Sequence, residues 1–213
     1  MEAIDFGLSS LLRLHNYLFP IKDDPVILGN IGHSQSLIAI VTKDSILAQR
    51  NVPWGIQPLL NRLETNLELS GNRKQAAGML TKYGLSYEDR ISSSDAVLSE
   101  KSWKEDDAIE IYRTIFQILT PYIDELIHEF YQIIGYVRSE TQGAKFEEIS
   151  IYGQAESIYY LGQYLAKRLS IPTKCINPMS KLALADNNLL PYTAEGAPFA
   201  LALGLAMRRV QWL

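Results

Sequence analysis

The chain has 213 residues, of which 47% are hydrophobic and 21% charged, and its formal net charge is −4. These values suit a globular domain with a sizeable core and argue against nucleic acid as a main partner, because phosphate binding needs a basic patch. Cys175 is the sole cysteine, which excludes an intrachain disulfide and a cysteine-built metal site and fits a reducing compartment.

The opening "MEAIDFGLSS" lacks the basic and apolar regions of a secretory signal. No apolar run approaches the roughly 20 residues that span a bilayer, so a soluble, intracellular protein is expected. "FGLSSLLRLHNYLF" (6–19) has helical spacing, with Leu8, Leu11, Leu12, Leu14 and Leu18 as its apolar stripe, and Pro20 ends it. The period then changes. "VILGNIG", "SLIAIVTK" and "SILAQRNV" read as three strands of a β-meander, the second and third joined through a hairpin at "KDS".

From Ile56 to about Gly84 the pattern is helical, in two pieces, with Gly84 suited to a C-cap. "SYEDRISSSDAVLSEKSWKEDD" is polar and serine-rich and reads as a surface excursion. A long helix follows from about Asp107 to Ser139, with an interruption allowed at Pro121. "FEEISIYGQAES" then reads as a strand, a glycine turn and the start of another helix. "IPTKCINP" gives a short strand, and "GAPFALALGLAMRRV" closes the chain as a helix rich in small apolar residues. The order indicates a mixed α/β domain.

For side-chain catalysis the residues offer little. His15, His33 and His128 fall on different predicted elements without metal-ligand spacing, and Cys175 has no local histidine. The carboxylates of "EDR", "KEDD" and "FEEIS" read as solvated faces. No catalytic or metal-ligating residue is assigned. Two glycine turns remain. In "LGNIGHSQS", Gly29 and Gly32 precede His33, Ser34 and Ser36, a pattern that serves a tight hairpin or a phosphate cradle. In "IYGQAES", Gly153 stands between a strand and an expected helix start, whose amides favour anions; a plain βα connection reads equally.

Taken together and in order, these pieces resemble the C-terminal half of an actin-like protein of the PilM/FtsA type, whose PilM branch serves type IV pilus assembly. "VILGNIGHSQSLIAIVTKDSILAQRNVPWGIQPLLNRL" resembles that family's second-lobe opening, in which Arg50, Pro53 and Gly55 match an arginine and a "P-x-G" before a helix. "ISIYGQAESIYYLGQYLAKRLSIPTKCINP" resembles its strand, adenosine turn, helix and strand, and "GAPFALALGLAMR" its closing helix. The resemblance implies an actin-like (ribonuclease H-like) α/β lobe: a mixed sheet flanked by helices, with an inserted, mainly helical subdomain. Residues 1–24 would form a crossing helix from an absent first lobe, 25–60 with 147–213 the core, and 61–146 the insertion.

In that family ATP lies between two lobes, and this chain, which looks like a fragment or reduced relative, would supply one wall. Asn30, Gly32, His33, Ser34, Gly153, Gln154 and Ala155 would be the remnant of the nucleotide site. Asn30 replaces a family aspartate that organises magnesium, and the amide lacks the charge a hard cation favours. Ala77 and Leu80 align with a nucleotide-facing glutamate and lysine, and Gln154 stands where a second glycine is preferred. No cofactor is expected, ATP with magnesium belonging only to an intact two-lobed parent.

The leading expectation is therefore a non-catalytic assembly component of a type IV pilus or related secretion apparatus. It would be cytoplasmic or held at the inner membrane through partners, which include other apparatus proteins and the cytoplasmic tail of an inner-membrane assembly protein. Self-association is expected through the stripes of residues 8–18 and 199–210, left uncovered without a first lobe. Direct membrane insertion and nucleic acid are not expected. The alternatives are an ATP-binding actin-like ATPase and the actin-like cytoplasmic domain of a type II secretion platform protein.

Overall fold

A computed structural model describes residues 7–69, 71–89, 103–182 and 196–208. Of the excursion expected over 86–107, residues 90–102 lie outside the described residues, as do both ends of the chain, while residues 103–107 belong to a helix instead. Helix α1 (Gly7–Leu18) precedes the strands β1 (Val26–Ile31), β2 (Ser36–Val41) and β3 (Ile46–Val52). Helices α2 (Ile56–Asn66), α3 (Arg73–Lys82) and α4 (Trp103–Glu140) follow. The chain returns through β4 (Ile149–Gly153), α5 (Leu161–Leu169), β5 (Thr173–Cys175) and α6 (Ala200–Ala206).

The five strands form one sheet in the order β3-β2-β1-β4-β5. β1 pairs antiparallel with β2 and parallel with β4, so the meander and the later βαβ unit share the central strand. The sequence of β1 explains its place. "VILGNI" is apolar on both faces, as a strand covered above and below must be. Alternation then divides the core. Ile27, Ile31, Ile38, Ile40, Ile149 and Ile151 face a large cluster with α2 to α5, while Val26, Leu28, Ala39, Val41 and Tyr152 face a smaller one with α1 and α6.

Two expectations need correction. α4 is a single helix of 38 residues and runs through Pro121 without a break. Pro121 is exposed and so is Gln117, whose carbonyl loses the helical hydrogen bond that a proline cannot donate but lies on the exposed side of the helix, where the loss is tolerated. The stripe at residues 8–18 is not uncovered either. Leu8, Leu11 and Leu14 are buried between the sheet and α6. The helices cross so closely that a Cβ on Gly204 would strike the carbonyl of Ser10, and Arg13 Nη1 donates to the Gly204 carbonyl at 2.6 Å. Of the 199–210 stripe, Phe199 and Leu205 remain exposed, at 56% and 48%.

Candidate functional site

The parallel pair β1 and β4 ends at one edge of the sheet, with Ile31 opposite Gly153 and Asn30 opposite Tyr152. The two glycine turns of the sequence therefore emerge side by side, at the carboxyl ends of parallel strands where open α/β sheets bind ligands. Gly153 has φ of 79°, and a Cβ there would collide with the carbonyl of Ile31 and lie 3.0 Å from Asn30 Oδ1. Both the dihedral and the crowding require glycine.

The first turn is bound into the fold. The amides of Ile56 and Gln57, at the start of α2, donate to the carbonyls of Gly32 and His33 at 3.2 and 2.8 Å. Gly55 lies so close that a Cβ would strike the His33 carbonyl. Ser36 Oγ bridges the turn to the Trp54 carbonyl at 2.7 Å. Two of the amides that a helix start offers to an anion are thus taken by the turn itself. His33 and Ser34 are exposed, and Asn30 is half-buried.

The second turn departs from the sequence expectation. No α-helix starts at Gly153. Gln154–Ser157 form a short 3-10 turn closed by Ser157 Oγ on the Gln154 carbonyl at 2.6 Å, and α5 begins only at Leu161. The cause lies in α3 and the turn that follows it. The Tyr159 amide donates to the Leu80 carbonyl (3.2 Å), and the Leu85 amide donates to the Tyr159 carbonyl (2.9 Å). These bonds hold residues 158–160 in a bend and turn, closed by the Leu161 amide on the Ile158 carbonyl at 3.2 Å, between the 3-10 turn and α5. Tyr160 is left at φ of 68°, a left-handed conformation unusual for an aromatic residue.

Between these elements lies a cavity of about 580 Å³. Ile56 and Leu60 of α2 form one wall, and Ala77, Leu80 and Thr81 of α3 form the next. Gly153, Gln154, Glu156 and Ser157 close it from the turn, with Ala197 and Pro198 opposite. Of the seven site residues expected from the sequence, Gly153 and Gln154 line this cavity. Asn30, Gly32, His33 and Ser34 do not, and Ala155 is buried in the core beneath it. Ala77 and Leu80 do line it. Ile56, Leu60, Glu156, Ser157 and Pro198 were not singled out in the sequence. Their spacing alone does not tell a cavity wall from core or surface.

The lining is largely apolar, with Thr81, Gln154 and Ser157 as its neutral polar residues and Glu156 as its charged one. Burial raises the Glu156 carboxyl above its ordinary range, and a hydrogen bond with Asn177 opposes that shift. The lining includes no lysine or arginine among the described residues. Elsewhere, His15 and Tyr152 pair in the smaller core, with Nδ1 2.8 Å from the phenol oxygen. Burial lowers His15 to about 4 and Tyr152 is raised above its ordinary value. Burial also pushes the Cys175 thiol up to about 12, as expected for a small apolar residue rather than a nucleophile. Among the described residues no group of three His, Cys, Asp or Glu side chains could hold a metal ion, and no helix is long and apolar enough to cross a membrane.

Similar folds occur among solved structures. A chain of the PilM-PilN type IV pilus biogenesis complex is 19% identical, with a TM-score of 0.67 over 97% of this chain and 52% of that one. Ta0583, an archaeal actin homolog, is 13% identical with a TM-score of 0.55, covering 94% of this chain and 52% of its own. MreB5 of Spiroplasma citri bound to ADP is 12% identical with a TM-score of 0.52, covering 96% and 58%. The fold is therefore the actin-like α/β fold, and the chain spans little more than half the length of these relatives. No curated protein matches it. The model of the family "Type IV pilus assembly protein PilM" matches residues 12–210, so the chain belongs to the PilM family of type IV pilus assembly proteins.

Proposed function

We propose that this chain is a non-catalytic assembly component of a type IV pilus or related secretion apparatus, working through recognition of other apparatus proteins. Its setting in this reading is the cytoplasmic side of the inner membrane, reached through partners. Residues 25–60 and 147–213 act as the core part and 61–146 as the inserted helical part.

The carrying observation is the cavity beside Gly153. By the family resemblance the Gly153 turn would border a nucleotide, but Ile56, Leu60, Ala77 and Leu80 form the walls of this cavity and Glu156 is its charged group. A triphosphate there would meet the Glu156 carboxylate and, among the described lining residues, no lysine or arginine, and burying phosphate charge without a cationic partner is costly. Family membership and the fold shared with a chain of a PilM–PilN complex support the assembly role.

Chromosomal replacement in the native host tests both parts. Deleting the gene should remove surface pili or the corresponding secretion, and Asn30→Ala or Ser34→Ala, at positions outside the cavity lining, should restore them fully. Normal assembly in the deletion strain, or failure of both folded variants to complement, would overturn the reading.

A further inference from the structure

We propose that the cavity beside Gly153 is a socket for a protein partner, taking one large apolar side chain followed in the partner's sequence by a lysine or arginine. This rests on the assembly reading and names the chemistry of its partner.

Three features select such an occupant. The walls formed by Ile56, Leu60 and Leu80 are apolar, while Thr81, Glu156 and Pro198 on the rim are exposed, so the cavity opens to one side. A half-open socket suits a protruding side chain better than a free small molecule, which needs most of its surface buried. The polar groups then set the flanking chemistry. Glu156 places one carboxylate at the mouth, complementary to a basic neighbour of the anchor. The half-buried Gln154 amide makes no side-chain hydrogen bond within the described residues, leaving a donor and an acceptor for the partner's backbone.

The socket is also pre-formed. Tyr159 bonds to Leu80 and Leu85 through its backbone, and Thr81 Oγ1 donates to the Ser157 carbonyl at 3.3 Å. These contacts fix the α3 wall against the turn wall, so seating an anchor costs little ordering.

The test uses the isotope-labelled full chain and three probes: acetyl-Gly-Phe-Lys-Gly-amide, acetyl-Gly-Phe-Glu-Gly-amide and Mg-ATP. The lysine peptide should shift the resonances of Leu60, Leu80 and Gln154, binding roughly threefold tighter than the glutamate peptide, as one exposed charge pair allows. Glu156→Gln should remove that difference, and Ala77→Trp, which fills the cavity, should abolish both responses while the spectrum stays folded. Equal binding of the two peptides to the wild type, or persistence of the response in a folded Ala77→Trp variant, would overturn the socket. Silence towards both peptides and Mg-ATP would overturn the socket alone. Mg-ATP shifting the same resonances would overturn the assembly reading with it.

Discussion

Gly84 presses against the backbone of Tyr159. It has φ of 47°, and a Cβ there would collide with the Tyr159 carbonyl oxygen, which accepts from the Leu85 amide at 2.9 Å. This contact joins the end of α3 to the segment before α5 and sets the spacing of the cavity walls.

Gly84→Ala should therefore destabilise the protein by roughly 2 to 4 kcal/mol, through left-handed strain together with the displaced carbonyl. Gly78 is the control. It lies inside α3, and a Cβ there meets nothing within 4 Å. Gly78→Ala should stabilise by about 0.5 to 1 kcal/mol, the ordinary helix preference. Urea unfolding of the two variants checks both signs; equal effects would contradict the contact.

His15 makes stability depend on acid. Its folded value of about 4 lies below the ordinary 6.5, because burial disfavours the imidazolium, with nearby Glu148 acting the other way. A group lowered in this way binds fewer protons when folded. Its contribution is full above pH 6.5 and is lost as pH falls towards 4, amounting to roughly 3 kcal/mol. Glu148, itself lowered overall and hydrogen-bonded to Lys174 and Ser150, adds a further loss at lower pH. His15→Gln keeps a partner for the Tyr152 hydroxyl but does not titrate. Urea unfolding from pH 7 to pH 4 should show a flatter profile for this variant than for the wild type, and parallel profiles would refute the assignment.

Cys175 should be nearly inert. With its thiol pushed from 9.0 to about 12, the folded protein holds roughly a thousandfold less thiolate than an ordinary cysteine at pH 8. A disulfide reagent should react slowly with the folded chain and rapidly in urea. Fast modification of the native protein would show that burial does not protect the sulfur.

The sheet was legible because its signals are local. Residues 26–52 alternate or run apolar between short turns, and three antiparallel strands follow. The long helix was legible too, but not its passage through Pro121, since sequence alone does not show that Gln117 and Pro121 face water. The segment after Gly153 misled for a non-local reason. "QAESIYYLGQ" has helical spacing, yet backbone bonds from Tyr159 to Leu80 and Leu85, over 70 residues away in the chain, hold a turn at 158–160 that delays the helix to Leu161. The cavity walls were hidden likewise. Ile56, Leu60 and Leu80 look like core positions until the fold sets them around Gln154. Ala77 and Leu80 were reached only through the family resemblance, while the pairing of His15 with Tyr152 left no sequence signal.

The central claim is that this actin-like frame no longer works through a nucleotide. Calorimetric titration of the full chain with Mg-ATP measures it most directly. The account predicts no saturable heat up to millimolar nucleotide, for the wild type and for Asn30→Ala alike. Micromolar binding by the wild type that Asn30→Ala abolishes would contradict it.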